Sequence, residues 1–330
     1  AYKVTFPEEI AGRLKLSHIR SAAGDTLKIR YLCTTGADYD YNGISEYISG
    51  GKGDETYAPV FDWYVFHSAI VENWEGEMTA GNALAEAVGS VVPVNASFCT
   101  SDTLINAITK MWVRTQKNNM HGGVPSDCPH RERGPYTGDG QIASAMVMHN
   151  FDARSFYNKW ILDISNAQDT LTGYVPNGAP WEPGCGGGAA WGAAMTIIPW
   201  EYYLAYGDRQ LLARHYDAIK MQTDFLSSWA TGEGTILVEV CDGSFIMNLG
   251  EHVPPFSGPP QEMVHTYVAW TCANYTSQIA GVLGKVEDAE AYKALANGLA
   301  TAFHAKFYDA REGTYGPDEC DVLALRIGVP

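Results

Sequence analysis

The hydrophobic period changes near residue 100, and that change sets the fold classes open to this chain. Before it, apolar and polar residues alternate in short runs. Residues 4–6, 13–16 and 26–31 have the period of two that marks a half-buried strand. A Gly24-Asp25 turn separates two of these runs, and Tyr57, Phe61, Trp63, Tyr64 and Phe66 give residues 54–69 aromatic strand character. Short strands with glycine-rich turns predict a β-sandwich over residues 1–97. After residue 100 the period becomes helical. Leu104, Ala107, Ile108, Met111 and Trp112 share one face of a helix expected to start at Asp102, capped by Thr100 or Ser101. Further helices are predicted at about 140–160 and 191–206, from an Asp208 cap to about 229, and at 262–283, 287–307 and from Asp321. Residues 235–245 read as a short rim hairpin. Helix pairs at even spacing stack side by side, and a ring of them places its loops around a central cleft. About six helices do not close such a ring. Residues 98–330 are therefore expected to be the first part of a larger helical domain, and the chain a piece of a longer protein.

One loop between the helices concentrates charge. Residues 127–139 contain Asp127, His130, Arg131, Glu132, Arg133 and Asp139, with Cys128 as a further ionisable group. Two prolines and two glycines keep this stretch from being a regular helix. Carboxylates and guanidinium groups on a stiff loop can form a charged pocket; they can equally form a solvated run of adjacent ion pairs. Tyr136 and Pro135 within the loop, and apolar helical sequence on both sides, favour the pocket. Residues 174–182 and 248–252 also gather polar groups at helix junctions, where binding loops sit.

The composition narrows the chemistry. The 330 residues carry a formal net charge of -16 and no basic run, which argues against a nucleic-acid partner. No transmembrane run is visible, so membrane insertion is not expected. The seven cysteines show no CxxC pair or zinc spacing, and neither metal nor cofactor is expected. No Gly-x-Ser-x-Gly elbow occurs. Cys128 near His130 is a poor candidate for a thiol nucleophile, since adjacency in a proline-containing loop does not create the geometry. Carboxylates remain. Cleavage of a glycosidic bond needs one protonated carboxyl as acid and one carboxylate as base or nucleophile. Glu132, with Asp127 and Asp139 as like-charged neighbours, suits the acid, although its arginine neighbours act in the opposite sense. Trp181, Trp191 and Trp200 can stack on a sugar face; core packing explains Trp191 and Trp200 equally well.

The stretch Asp-Cys-Pro-His-Arg-Glu-Arg followed by Tyr-Thr-Gly-Asp at 127–139 resembles the inverting α-L-rhamnosidases of glycoside hydrolase family 78. So do Gly-Tyr-Val-Pro at 173–176, Ile-Pro-Trp-Glu-Tyr-Tyr at 198–203 and Tyr-Gly-Asp at 206–208. That resemblance implies a β-sandwich followed by an (α/α)6 toroid, incomplete in this chain, with a rhamnose-containing glycoside or oligosaccharide as the partner. It makes Glu132 the general acid, and it makes Asp127, Arg131 and Asp139 substrate-binding residues, with His130, Tyr136, Trp181 and Trp200 lining the site. Glu251 stands near a sugar-side acidic residue of the family, and it is the base candidate within these 330 residues. The family's own base is a glutamate in a later Trp-Glu segment that this chain does not contain. Gly134-Pro135 departs from the family's usual Leu-Gly or Met-Gly. Two alternatives remain: an inverting glycosidase of the same fold acting on another deoxy sugar or uronide, and a carbohydrate-binding or structural protein without catalysis. A periplasmic or secreted location is slightly favoured over a cytoplasmic one, and the oligomeric state is left open.

Overall fold

The computed structural model describes residues 1–33, 43–180, 188–240, 248–252, 257–317 and 319–329. It divides into two compact units. The first comprises Ala1–Val92 and Ser97–Gly134, the second Pro93–Ala96 and Pro135–Pro330.

The first unit holds β1 (Tyr2–Ile19), β2 (Thr26–Leu32), β3 (Ile44–Ile48), β4 (Glu55–Tyr57), β5 (Tyr64–Glu72) and β6 (Ala83–Ala87). Among the described residues these form one antiparallel sheet in the order β3-β2-β5-β1-β4, with β6 added to β1. The two short runs read from the sequence near 4–6 and 13–16 are halves of the single long strand β1. Its first half pairs with β5 as far as Gly12, with an irregularity between Thr5 and Ile10, and its second half pairs with β6 and β4. Such an exchange of partners along one strand curls the sheet. The expected strand layering therefore takes the form of an open, curled sheet wrapped over its own core. Gly12 permits the exchange: a Cβ there would lie 2.1 Å from the Glu86 carbonyl oxygen. Alternation fills the core. Leu14 and Leu16 from β1, Leu27, Ile29 and Tyr31 from β2, and Phe66 and Val71 from β5 are fully buried.

The same unit continues with α1 (Thr103–Asn118) and a two-strand turn of β7 (Met120–His121) and β8 (Val124–Pro125). Asp102 itself caps α1 in place of the predicted Thr100 or Ser101, accepting from the Leu104 and Ile105 amides. Asp102 wins because its Oδ1 reaches both orphan amides, while the Thr100 hydroxyl bonds the Asp102 backbone. The apolar row of α1 forms as predicted but faces outward, with Leu104 67% and Met111 62% exposed.

The second unit is helical: α2 (Thr137–Asn150), α3 (Arg154–Ala167), α4 (Ala189–Gly192), α5 (Ala194–Tyr206), α6 (Arg209–Ser227), α7 (Gln261–Leu283), α8 (Val286–Phe307) and α9 (Cys320–Ile327). The helix predicted at 140–160 is two helices. The Asn95 amide donates to the Asn150 carbonyl and the Asp152 amide to that of Pro93, so residues 93–95 take up hydrogen bonds that a continuous helix would use. The helix predicted at 191–206 begins as α4 and bends at Ala193. Asp208 caps α6 as expected, accepting from Gln210 and Leu211. Of the proposed rim hairpin, Ala230 pairs with Ile236, and residues 241–247 lie outside the described set. Successive helices pair as hairpins, α7 with α8 most extensively. Their shared core runs from Leu226, Val268 and Cys272 to Leu299, and a second cluster joins Phe303 and Tyr315 to Cys320 and Ile327 of α9. This is the hairpin layout of an (α/α)6 toroid, incomplete in this chain. No described helix is long and apolar enough to cross a membrane.

Candidate active site

In the first unit, residues 127–134 fold back on themselves. The Asp127 amide donates to the Gly134 carbonyl at 3.2 Å, and the Gly134 amide to Asp127 Oδ1 at 3.0 Å. The Arg131 and Arg133 amides both donate to the Cys128 carbonyl at 3.2 Å. Arg133 sits at φ +56°, a left-handed conformation that costs a non-glycine residue free energy and persists only when its surroundings hold it. They do. Its Nη1 donates to the Trp63 carbonyl at 2.6 Å, its guanidinium lies 5.1 Å from the Trp63 ring centroid and 5.7 Å from that of Tyr64, and Asp62 is 3.6 Å away. Trp63 in turn stacks at 3.6 Å on His121. The loop is thus pinned to the start of β5 through Arg133, a charged loop residue to which sequence reading gave no anchoring role.

That anchor turns Asp127, Cys128, Arg131 and Glu132 toward one another. Cys128 Sγ lies 2.6 Å from Asp127 Oδ2 and 2.6 Å from Glu132 Oε2. Arg131 Nη2 lies 3.1 Å from Glu132 Oε1, and its Nε donates to Oε2 at 3.3 Å. Burial raises the Asp127 carboxyl above the usual carboxylate range, and the negative charge of Glu132 adds to the effect. For Glu132 burial acts the same way, but contacts from Cys128, a backbone amide and Arg131 outweigh it and hold the group low. Burial and the two carboxylates push the Cys128 thiol up to about 12, so it is no thiolate nucleophile at neutral pH. Among the described residues these three side chains also form the one set of potential metal donors within 4.8 Å of one another. Their mutual hydrogen bonds account for that closeness. His130 is exposed beside them.

The other expected site residues belong to the second unit. The Thr137 amide and hydroxyl both donate to the Asn177 carbonyl, and Tyr136 bridges to Gly178, which fixes the entry of α2. Asp139 stands exposed in the first turn of α2, where the helix dipole favours a carboxylate. Gly138 is required there, because a Cβ would lie 2.8 Å from the Trp191 indole. Trp200 is buried in α5 with its ring 5.6 Å from Tyr203 and 5.9 Å from Tyr275. Trp181 lies outside the described residues. Glu251 is exposed and lines a cavity of about 510 Å³ with Glu239, Asn248 and Gln261. His265 of α7 holds that segment: its Nδ1 accepts from the Val238 amide, and its Nε2 faces the Leu249 carbonyl at 3.0 Å.

Residues 93–329 match the bacterial alpha-L-rhamnosidase 6 hairpin glycosidase domain. The chain belongs to this family. An α-L-rhamnosidase of Streptomyces avermitilis is 26% identical over 332 residues, covering 98% of this chain and 31% of its own length. One from Formosa agariphila is 28% identical over 275 residues, covering 76% of this chain and 28% of its own. The structure of the α-L-rhamnosidase from Dictyoglumus thermophilum superposes with a TM-score of 0.87 at 26% identity, covering all of this chain and 38% of that one. The S. avermitilis enzyme complexed with L-rhamnose gives a TM-score of 0.88 at 24% identity, over 99% of this chain and 32% of that one, and shares the fold. The present chain thus spans about a third of the rhamnosidases it matches.

Proposed function

We propose that the protein containing this chain is an inverting glycoside hydrolase that releases terminal α-L-rhamnose from rhamnosides. The carrying observation is the Asp127–Cys128–Glu132 cluster, held on a pinned loop in a chain of the rhamnosidase family. Glu132 is exposed, flexible enough to reach a glycosidic oxygen, and acts as general acid. Asp127 holds a sugar hydroxyl and Arg131 orients Glu132; the resemblance to the family adds His130, Tyr136, Asp139, Trp181 and Trp200 as substrate-binding residues. Residues 1–97 serve as an accessory β domain, and residues 98–330 supply the first part of the catalytic barrel. An inverting mechanism sets acid and base roughly 6.5–9.5 Å apart to admit a water molecule.

Glu132→Gln in the full-length protein tests the acid. It should slow turnover of a rhamnoside with a poor leaving group by about 10²–10⁴ and spare a substrate with an acidic leaving group. Equal, parent-like rates on both substrates would refute it. Glu251→Gln tests the base candidate. A loss of kcat that added azide restores marks a base, whereas a raised KM with kcat kept marks a sugar ligand. A panel of aryl glycosides separates rhamnose from other deoxy sugars and uronides.

A further inference from the structure

The hydrogen count around Cys128 is unequal to its acceptors. A thiol carries one hydrogen. Its sulfur faces two carboxyl oxygens, Asp127 Oδ2 and Glu132 Oε2, both at 2.6 Å. The other oxygen of each acid already has a donor: the Gly134 amide for Asp127, Arg131 for Glu132. Glu132 Oε2 also accepts from Arg131 Nε at 3.3 Å, but with both acids ionised the sulfur has one hydrogen for two anionic oxygens at 2.6 Å, and one of them would press its lone pairs on the sulfur. One additional proton resolves this. A protonated carboxyl donates O–H to sulfur, and the thiol donates S–H to the other carboxylate.

We propose that Cys128 is a positioning residue that holds one shared proton between Asp127 and Glu132 and passes it to Glu132 for catalysis. This rests on Glu132 being the general acid. The transfer is balanced. The Asp127 O–H bond breaks as a new S–H bond forms, the original S–H bond breaks as the Glu132 O–H bond forms, and sulfur ends neutral. Asp127 becomes a carboxylate and Glu132 a carboxylic acid. The charged groups facing the thiol are Asp127, Glu132 and Arg131, whereas Arg133 is turned away onto Trp63. The arrangement also explains how an acid beside Arg131 obtains a proton. Burial raises the Asp127 carboxyl while Glu132 is held low, so of the two acids Asp127 is the one that favours the shared proton, and Cys128 bridges it to the more exposed Glu132.

The test is the pH dependence of kcat/KM in the full-length protein, on an aryl α-L-rhamnoside with a poor leaving group. Parent, Cys128→Ala, Cys128→Ser, Asp127→Asn and Glu132→Gln are compared. Without the bridging thiol, the proton shared by the Asp127–Glu132 pair is lost from the pair at lower pH. Cys128→Ala should move the alkaline limb down by about one pH unit. Cys128→Ser, whose hydroxyl also gives and accepts one hydrogen, should return toward the parent limb, and Asp127→Asn should shift as Cys128→Ala does. An unmoved limb in Cys128→Ala, or a Cys128→Ser limb as displaced as that of Ala, overturns the proposal. If Cys128→Ala does not fold, Cys128→Ser and Asp127→Asn decide: a parent-like limb in Asp127→Asn overturns it. Glu132→Gln separates the two levels. A slow Glu132→Gln enzyme with an unmoved Cys128→Ala limb defeats only the shared proton, while a parent-like Glu132→Gln enzyme defeats the acid assignment itself.

Discussion

At the scale of the residue, Arg133 shows how the acid loop is held. Its left-handed backbone is offset by a hydrogen bond to the Trp63 carbonyl and by two aromatic faces. Arg133→Gly would keep the backbone geometry and remove the anchor. We expect it to lower stability by about 1–3 kcal/mol and to reduce kcat on poor leaving groups more than on activated ones. Arg133→Lys should not rescue it, because an ammonium lacks the planar face that covers both rings. A melting temperature and kcat equal to the parent in Arg133→Gly would contradict this role. The sequence announced Glu132, Asp127 and Arg131, since charge density on a proline-stiffened loop is visible in one dimension. It did not announce the anchoring role of Arg133 or the bridging part played by Cys128. Both depend on chain partners: Trp63 lies 70 positions away from Arg133, and the Cys128 thiol needs the loop to close before it meets two acids.

At the scale of the element, α7 carries a buried histidine that ties down the Glu251 segment. Because Nδ1 of His265 accepts from Val238, its Nε2 must carry the hydrogen given to Leu249, and the ring is neutral. Burial lowers its pKa below the ordinary value, as it does for His121 and His215. The unfolded chain then binds protons before the folded one. The stabilising contribution is complete above the unfolded histidine pKa of about 6.5 and is lost as pH falls below it toward the folded values. Denaturant midpoints should therefore fall between pH 7.5 and pH 5. His265→Ala should cost about 1–3 kcal/mol at pH 7.5 and shrink that fall; an unchanged pH dependence would show that His265 is not buried neutral. At the start of α2, Gly138→Ala drives a methyl group into the Trp191 indole and should cost about 1–3 kcal/mol by thermal melts. Helix identity was legible from the 3.6-residue period and the Asp208 cap. The breaks at Phe151 and Ala193 were not, because periodicity continues across them and only the hydrogen bonds of residues 93–95 interrupt the first.

At the scale of the molecule, the period change near residue 100 was enough to place strands before helices, while the curl of the sheet was hidden in one long strand that changes partners at Gly12. The outward apolar row of α1 has a consequence for the 330-residue chain handled alone. Leu104, Ile108 and Met111 form an exposed stripe of the kind that drives association. Sedimentation should show self-association of the isolated chain, reduced by the double change Leu104→Glu and Met111→Glu; a monomeric parent would contradict this. The central claim concerns the reaction itself, and proton NMR of an aryl α-L-rhamnoside during hydrolysis by the full-length protein tests it most directly. An inverting enzyme with Glu132 as acid yields β-L-rhamnose as the first-formed anomer, before mutarotation, and Glu132→Gln slows its appearance. First-formed α-L-rhamnose, or no rhamnose at all, would contradict the account.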